Sequence, residues 1–321
     1  MDFLIAIEIF VVALELFLLA AVVAAMPVLF ATLGELVTEK AGNLNLGVEG
    51  MMYMGAVMGF RAGLATESVF FAVLAAFIAG AAGAAIYAFL TVTFRTNQVV
   101  TGLTLTIFGT GFSNFVGQSV SGLLVPQNIR DFFAAVPIPG LSEIPFLGTI
   151  LFTQSVFTYF GFILTVVVAI YLKKTKAGLN LKAVGENTAA ADASGINVIA
   201  YKYIHIIIGG GLCGLGGAFM SLVSIPIWQE GLIAGRGWIA VALVIFASWR
   251  PLRALVGALV FGGLSIVGFR LQVMGINISQ YILDMAPYVA TIIIVILSTR
   301  KNKKEDRAPG DLGKAYFREE R

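Results

Sequence analysis

The sequence predicts an all-α polytopic membrane protein with about 8–10 transmembrane helices. Of its 321 residues, 59% are hydrophobic and only 12% are charged, which is about half the charged fraction of an average soluble domain. Several apolar runs are long enough to cross a bilayer as helices, and they are continuous, whereas the strands of a membrane barrel alternate. With Cys213 and His205 as its only cysteine and histidine, the chain favours neither a disulfide framework nor a metal site built from these residue types.

The first apolar region, 3–36, is longer than one membrane crossing requires. It lacks a basic start and contains Glu8 and Glu15, so we expect no cleavable signal peptide. We place the first span at about 16–36, with Pro27 as a candidate bend, and the preceding stretch along the membrane surface.

Further apolar runs predict the remaining crossings. A long segment, 119–149, contains four prolines, and this composition predicts a loop. The run at 238–249 is too short for a full span; if it re-enters the membrane, the number of crossings falls by one and the N-terminus changes side. The predicted spans are 48–64, 69–94, 99–118, 151–172, 201–223, 238–249, 252–269 and 282–298.

The distribution of basic residues predicts the orientation. With the C-terminal tail inside and nine crossings, most of the 21 Lys and Arg residues fall on the inner side. Only Arg61, Arg130, Arg236 and Arg270 fall outside, as the positive-inside rule favours. We expect one transmembrane domain over 1–298 and a charged cytoplasmic tail, frayed or soluble, over 299–321.

The stretch 38–50 places polar residues between two apolar runs. Polar groups this close to hydrocarbon are costly unless they face protein or a water-filled path, and its three glycines indicate a turning or closely approached backbone. We therefore predict a break near the second helix, with Asn43, Asn45 and Glu49 as candidate substrate-pathway residues. The alternative is that these side chains only bond backbone groups freed by the break.

The fourth span offers further pathway candidates, namely Thr104, Phe108 and Asn114. Phe108 lies one turn from Phe112, so the two rings are candidates for stacking on a base or a sugar, although packing is the commoner use of such residues. Threonines often bond their own helix backbone, which leaves Asn114 as the polar residue least easily explained by packing.

The polar loop 173–200 contains a short alanine-rich helix. Asn187 or Thr188 can cap its start, and Gly195 can end it in a left-handed turn. Such a helix is marginal alone in water, so we expect it to dock either on a partner or on its own membrane domain. Small residues repeat every four positions in three spans, which predicts close helix packing; the stripes are 76–88, 210–218 and 254–262.

Three motifs carry a resemblance to a known family. Residues 39–52, with Asn-Leu-Gly-Val-Glu-Gly-Met-Met, resemble the second-span hallmark of ABC-importer permeases of the branched-chain amino acid, ribose and nucleoside superfamily. They are most similar to its nucleoside and simple-sugar branch. Residues 182–196 resemble that family's loop that inserts into the ATPase subunit, and 235–252 resemble its third landmark, with a more basic Ser-Trp-Arg-Pro than usual.

This resemblance implies a transport subunit that is not itself an enzyme. It implies a cytoplasmic ABC ATPase, a second related permease and an extracytoplasmic binding protein as partners, in a bacterial or archaeal inner membrane. This chain would hold no cofactor, since ATP and Mg²⁺ belong to the ATPase. The resemblance favours a nucleoside as solute, with a simple sugar such as ribose as the alternative. The ATPase-coupling residues it implies are Gly185, Glu186, Asn187, Ala190, Asp192 and Gly195.

Two other function classes fit the residues less well. A gradient-driven carrier favours buried ionisable groups and paired broken helices, and the sequence offers a clear break near 40–50 with a possible counterpart near 231–250. An integral-membrane enzyme would need an acid–base, nucleophile or metal set, and we find no motif of these kinds.

Overall fold

The computed structural model describes residues 2–273 and 307–318, together with seven isolated positions between 279 and 296. These residues form twelve α-helices and a small antiparallel sheet of β1 (Ala135–Pro137) and β2 (Thr153–Ser155). Five-residue π-helical turns extend α3 over Phe89–Thr93 and α10 over Met220–Ser224. The helices are α1 (Asp2–Lys40), α2 (Val48–Thr66), α3 (Val69–Ala88), α4 (Gln98–Gly117), α5 (Gln127–Phe132), α6 (Leu147–Leu151), α7 (Val156–Lys174), α8 (Lys176–Glu186), α9 (Thr188–Ala193), α10 (Val198–Phe219), α11 (Arg236–Phe246) and α12 (Pro251–Val273).

Six of the described helical segments are long and apolar enough to cross a membrane, which confirms the predicted all-α polytopic class. The shorter or less apolar α2 and α11 lie among them. The predicted last span, 282–298, falls outside the continuously described residues. The six segments are Glu8–Lys40, Val69–Thr93, Gln98–Val120, Val156–Lys174, Val198–Ser224 and Pro251–Gly268.

Helix α1 differs from the prediction. It is one helix of 39 residues that continues through Pro27, so the stretch before residue 16 is not a separate surface element. At about 1.5 Å per residue it is about 58 Å long, and its early residues Ile9 and Phe10 are about two-thirds exposed at 65% and 66%. Apolar residues with good helix propensity continue without a stop signal, and the helix ends only at Lys40.

Helix α10 lies at the centre of the bundle because its glycines admit three neighbours. A Cβ added at Gly214 would meet the Ala76 carbonyl of α3, one at Gly209 would meet the Thr38 hydroxyl of α1, and one at Gly217 would meet the Met52 carbonyl of α2. Close backbone approach is how helices gain packing contacts in lipid, where no hydrophobic force draws them together. The packing predicted from the small-residue stripes is thus found in the fold.

The segment from Ile225 to Trp249 crosses the bundle in two parts. Its start lies at one end, where the Pro226 carbonyl accepts a hydrogen bond from Val125 N at 3.0 Å. Its end lies at the opposite end, where Trp249 Nε1 donates to Glu39 Oε2 at 2.6 Å. Helix α11 covers only the second part, and buried non-helical chain that includes Leu232 and Ile233 covers the first part. Non-helical chain is tolerated inside a membrane bundle when protein surrounds it.

The predicted loop 119–149 folds over the end of the bundle at which Val125 bonds Pro226. Strand β1 pairs with β2, with Val136 opposite Gln154. Because β2 occupies Thr153–Ser155, α7 begins only after it. The Ser155 hydroxyl caps the first turn of α7 by accepting from Thr158 N at 3.2 Å. The fifth span therefore begins at Val156 and not at the expected residue 151.

Candidate translocation and coupling site

The predicted helix break lies between α1 and α2, over residues 41–47. The chain turns at Gly42, whose φ of 84° is left-handed. Side chains from two neighbouring helices then bond the freed backbone: Gln98 Oε1 accepts from Leu44 N at 2.7 Å, and Tyr87 OH donates to Leu44 O at 2.6 Å. The break is thus held by α3 and α4, as buried non-helical backbone requires.

Asn43 and Asn45 are each only 1% exposed. Asn45 N donates to Glu35 Oε1 at 2.9 Å, and Asn45 Oδ1 accepts from Gly47 N at 2.9 Å. The Oδ1 atom of Asn43 has no hydrogen-bond partner among the described residues. In this conformation Asn45 stabilises the turn, which is the alternative weighed for these residues, and neither asparagine faces open space.

Glu49, in the first turn of α2, connects the end of the break to the start of the short helix α11. Its Oε1 accepts from Gly235 N at 2.8 Å and its Oε2 accepts from Gly237 N at 2.6 Å, at the N-terminus of α11. A carboxylate at a helix N-terminus satisfies free amides and opposes the positive end of the helix dipole. Gly237 is required here because a Cβ would lie 2.5 Å from the Glu49 Cα. Glu49 therefore joins α2 to α11.

Two buried glutamates of α1 were not among the site residues predicted from the sequence. Glu35 is 0% exposed and binds the break, while Glu39 is 1% exposed and accepts from the Trp249 indole that follows α11. Their spacing of four residues places them on one helix face. Two acidic residues at this spacing inside a span are a signal that sequence reasoning could have used.

The α4 candidates lie apart from this cluster. Thr104 is exposed and its hydroxyl donates to its own helix at Val100 O, at 2.9 Å. Phe108 is 51% exposed and stacks on Phe112 with ring centroids 6.3 Å apart. Asn114 is partly buried, and its Oδ1 lacks a partner among the described residues. The structure therefore separates the six candidates into a buried group around the break and a group on α4.

The loop predicted to contact an ATPase forms α8 and α9. Asn187 caps α9 by accepting from Ala190 N at 2.9 Å, and Gly195 ends the turn with a φ of 81°. Glu186, Asn187 and Ala190 are exposed. Gly185 is buried against the end of α1, where a Cβ would clash with the Lys40 carbonyl. The exposed helix α9 therefore follows closely after Gly185, which packs against the last residue of α1 just before the break.

A model of the family described as "Branched-chain amino acid transport system / permease component" matches residues 17–298. The chain belongs to this permease family. The match covers almost all of the membrane part, and it agrees with the resemblance carried by the three motifs.

Relatives of the permease include ABC transporter subunits with two kinds of named solute. A Haloferax volcanii protein named as a putative glucose ABC transporter permease, TsgC13, is 37% identical over 94% of this chain and 97% of its own. The guanosine ABC transporter permease NupQ of Bacillus subtilis is 35% identical over 85% of this chain and 89% of its own. The nucleoside ABC transporter permease NupC of Lactococcus lactis is 36% identical, over 84% and 88%. No solved structure matches the chain.

The C-terminal tail of the permease, which we expected to be frayed or soluble, packs against the rest of the chain over its described residues, 307–318. Asp311 N donates to Gly185 O at 2.9 Å, and Gly313 N donates to Gly42 O at 3.1 Å, so the tail contacts both α8 and the break. It also reaches α9, where Tyr316 OH donates to Asp192 Oδ2 at 2.7 Å. Asp192, a predicted coupling residue, thus holds the tail in place.

The Asp311 carboxyl anchors the tail by accepting from Thr188 N at 2.7 Å. Desolvation raises the pKa of Asp311, but hydrogen bonds from Thr188 and Lys314 outweigh it and leave the pKa below its ordinary value of 3.8. The anchor is therefore ionised at neutral pH.

Proposed function

We propose that this permease is the membrane subunit of an ATP-driven importer for a nucleoside. The observation that carries the proposal is the close approach of Gly185, in the last turn of α8 just before the exposed α9, to the Lys40 carbonyl and to Gly42 of the break. A force applied to α9 from the cytoplasm reaches the break through this contact. The sequence motifs and the two nucleoside-transporting relatives support the choice of solute.

The mechanism we propose uses partners that this chain lacks. Two cytoplasmic ATPases, which supply ATP and Mg²⁺ chemistry, pull on α9 as they close. The break moves against α11 through Glu49, and a second related permease completes the path. An extracytoplasmic binding protein delivers the solute from outside, across a bacterial or archaeal inner membrane.

Within this mechanism we assign different roles to the two groups of pathway candidates. Asn43, Asn45 and Glu49 shape an inner gate, because all three are buried at or beside the break. Asn45 bonds the backbone of the break, and Glu49 ties the start of α2 to α11. Thr104 and Phe108 face the partner permease and line the path, because they lie on an exposed face of α4 that also includes Gly111, whose surroundings are open.

The coupling assignment is tested by charge and size changes at the end of α8 and in α9. Glu186→Arg and Ala190→Trp should abolish uptake while the amount of permease in the membrane stays normal, because both side chains are exposed. Glu143→Arg, on the exposed outer loop, is the matched control and should transport normally. Normal uptake by both variants would exclude the assignment, and uptake that continues without ATP hydrolysis would exclude the importer mechanism.

The path assignment is tested by Thr104→Trp. A bulky ring on the face between two permeases should block uptake, whereas Ile163→Trp, on the exposed face of α7 (61% exposed), should not. Equal uptake by the two variants would place Thr104 against lipid.

The solute is tested by competition. In cells that carry the complete transporter, unlabelled nucleosides should inhibit uptake of labelled guanosine, and glucose should not. Glucose is the second candidate because the relative that is 37% identical over 94% of this chain bears that name. Saturable glucose uptake that nucleosides fail to inhibit would select the sugar.

A further inference from the structure

A cleft of about 510 Å³ opens on the cytoplasmic side between the docked tail and the membrane helices. It is bounded by the π-helical end of α3, the C-terminal end of α9, the start of α10 and tail residues 314–318. A volume of this size lies within the range of small-molecule sites. It belongs neither to the helix break nor to the exposed surface of α9.

Four basic side chains line this cleft: Arg95, Lys202, Lys314 and Arg318. Among the lining residues that the structure describes, Asp192 is the one carboxylate residue, and Arg318 contacts it at 3.2 Å. The remaining cations of the lining therefore exceed the anions, which favours a negatively charged occupant.

Lys202 is the decisive residue because it is only 4% exposed. No hydrogen bond or ion pair joins its ammonium group to another described residue. Lys314 instead contacts Asp311 at 3.3 Å, and Arg95 stacks over the Phe317 ring at 4.6 Å. The Asp311 carboxylate of the tail acts on this lysine only electrostatically. An anion in the cleft that pairs directly with the Lys202 ammonium group would therefore offset part of the cost of burying it.

The N-terminus of the 22-residue helix α10 points to the same kind of ligand. Asn197 Oδ1 accepts from Ala200 N at 3.0 Å. The amides of Val198 and Ile199, which also line the cleft, make none of the backbone hydrogen bonds found among the described residues. Free amides and the positive end of a long helix form a favourable setting for phosphate oxygens.

We propose that this cleft binds a phosphate-bearing anion, with its phosphate group between Lys202, Arg95 and the α10 N-terminus. Lys314 and Arg318 bring the tail to the same anion, and Asp192 links α9 to the tail through its contact with Arg318. Binding therefore stabilises the docked tail against the coupling helix. The site is independent of which solute the permease transports.

The test uses the full-length permease in its complete transporter, reconstituted in phosphatidylcholine nanodiscs, with inorganic phosphate as the probe. Calorimetric titration should show binding that Lys202→Met weakens at least 10-fold and that Lys202→Arg largely retains. Arg95→Met is a second variant, because Arg95 is exposed and its loss should not unfold the chain. Lys174→Met removes an exposed lysine outside the cleft and is the matched control.

A second arm distinguishes a free phosphate from a lipid headgroup. If the natural ligand is a lipid, nanodiscs with phosphatidylglycerol should raise the Tm of the wild type but not of Lys202→Met, without added phosphate. Binding that is the same in wild type, Lys202→Met and Arg95→Met would overturn the proposal. So would the absence of any effect of phosphate and of phosphatidylglycerol.

Discussion

The link between Glu49 and the start of α11 gives the sharpest test of the site. Each carboxylate oxygen accepts one backbone hydrogen bond, from Gly235 and from Gly237. Glu49→Gln keeps one acceptor but turns an NH₂ group toward the other amide, so one bond is lost and two donors face each other. Glu49→Ala leaves both amides without a partner.

The expected magnitudes follow from these bonds. A hydrogen bond to a charged group contributes about 1.5–3 kcal/mol, so Glu49→Gln should destabilise the permease by about 2 kcal/mol. Glu49→Ala loses two such bonds and should destabilise it by about 3–6 kcal/mol. Because Glu49 is 5% exposed, water cannot easily replace the lost acceptor.

The assay is the unfolding of the purified permease by increasing detergent, together with uptake by the complete transporter. Both variants should unfold at lower detergent concentration than the wild type, Glu49→Ala at the lowest, and uptake should fall because α2 no longer moves with α11. Glu8→Gln, which changes an exposed glutamate of α1, should behave as the wild type. If Glu49→Gln is as stable and active as the wild type, the capping role of Glu49 is wrong.

Three further predictions concern packing, the coupling helix and the tail. Gly109→Ala should destabilise by about 1–3 kcal/mol, because its Cβ would clash with the Gly50 carbonyl. Gly111→Ala, at a position with open surroundings in the same helix, should stabilise the permease by about 0.5–1 kcal/mol. If both variants change unfolding in detergent equally, the close approach of α4 to α2 at Gly109 is wrong. Asn187→Ala removes the α9 cap and should cost about 1 kcal/mol of local stability, measured as faster amide exchange in α9, whereas unchanged exchange would exclude the cap. Asp311 has a lowered pKa, so its contribution to tail docking is complete above its unfolded pKa of about 3.9 and is lost as the pH falls through the lower folded value. Spin-label distances between tail and α9 should stay short from pH 7 to about 4 and lengthen below it, whereas Asp311→Asn should lengthen them at pH 7; constant distances in both experiments would exclude the anchor.

Local patterns carried much of the fold. Continuous apolar runs predicted α2, α3, α4, α10 and α12 to within a few residues, because a lipid environment requires helices of a certain length whatever their neighbours are. The cap at Asn187 and the left-handed Gly195 depend only on nearby residues, and both are found where the sequence predicted them. The small residues of α10 likewise predicted close packing.

The length of α1 could not be predicted from local sequence patterns. Hydropathy indicates where a helix can enter lipid, but it does not indicate where a helix that has begun outside lipid will stop. The docking of the tail could not be predicted either. Nothing in the sequence around Asp311 and Tyr316 indicates that they bond Thr188 and Asp192 of α9.

The sequence by itself determined that the chain is a multi-pass helical protein, that its helices break near residue 42, and that a capped helix lies in the polar loop. Tertiary structure alone decided that Glu49 bonds α11, that Glu35 bonds the break and Glu39 bonds Trp249, and that Lys202 lies in a cleft closed by the tail. The reason is physical. Helix formation and membrane insertion depend on neighbours in sequence, whereas the partner of a buried charge is set by which distant backbone amide or side chain the packing brings within about 3 Å.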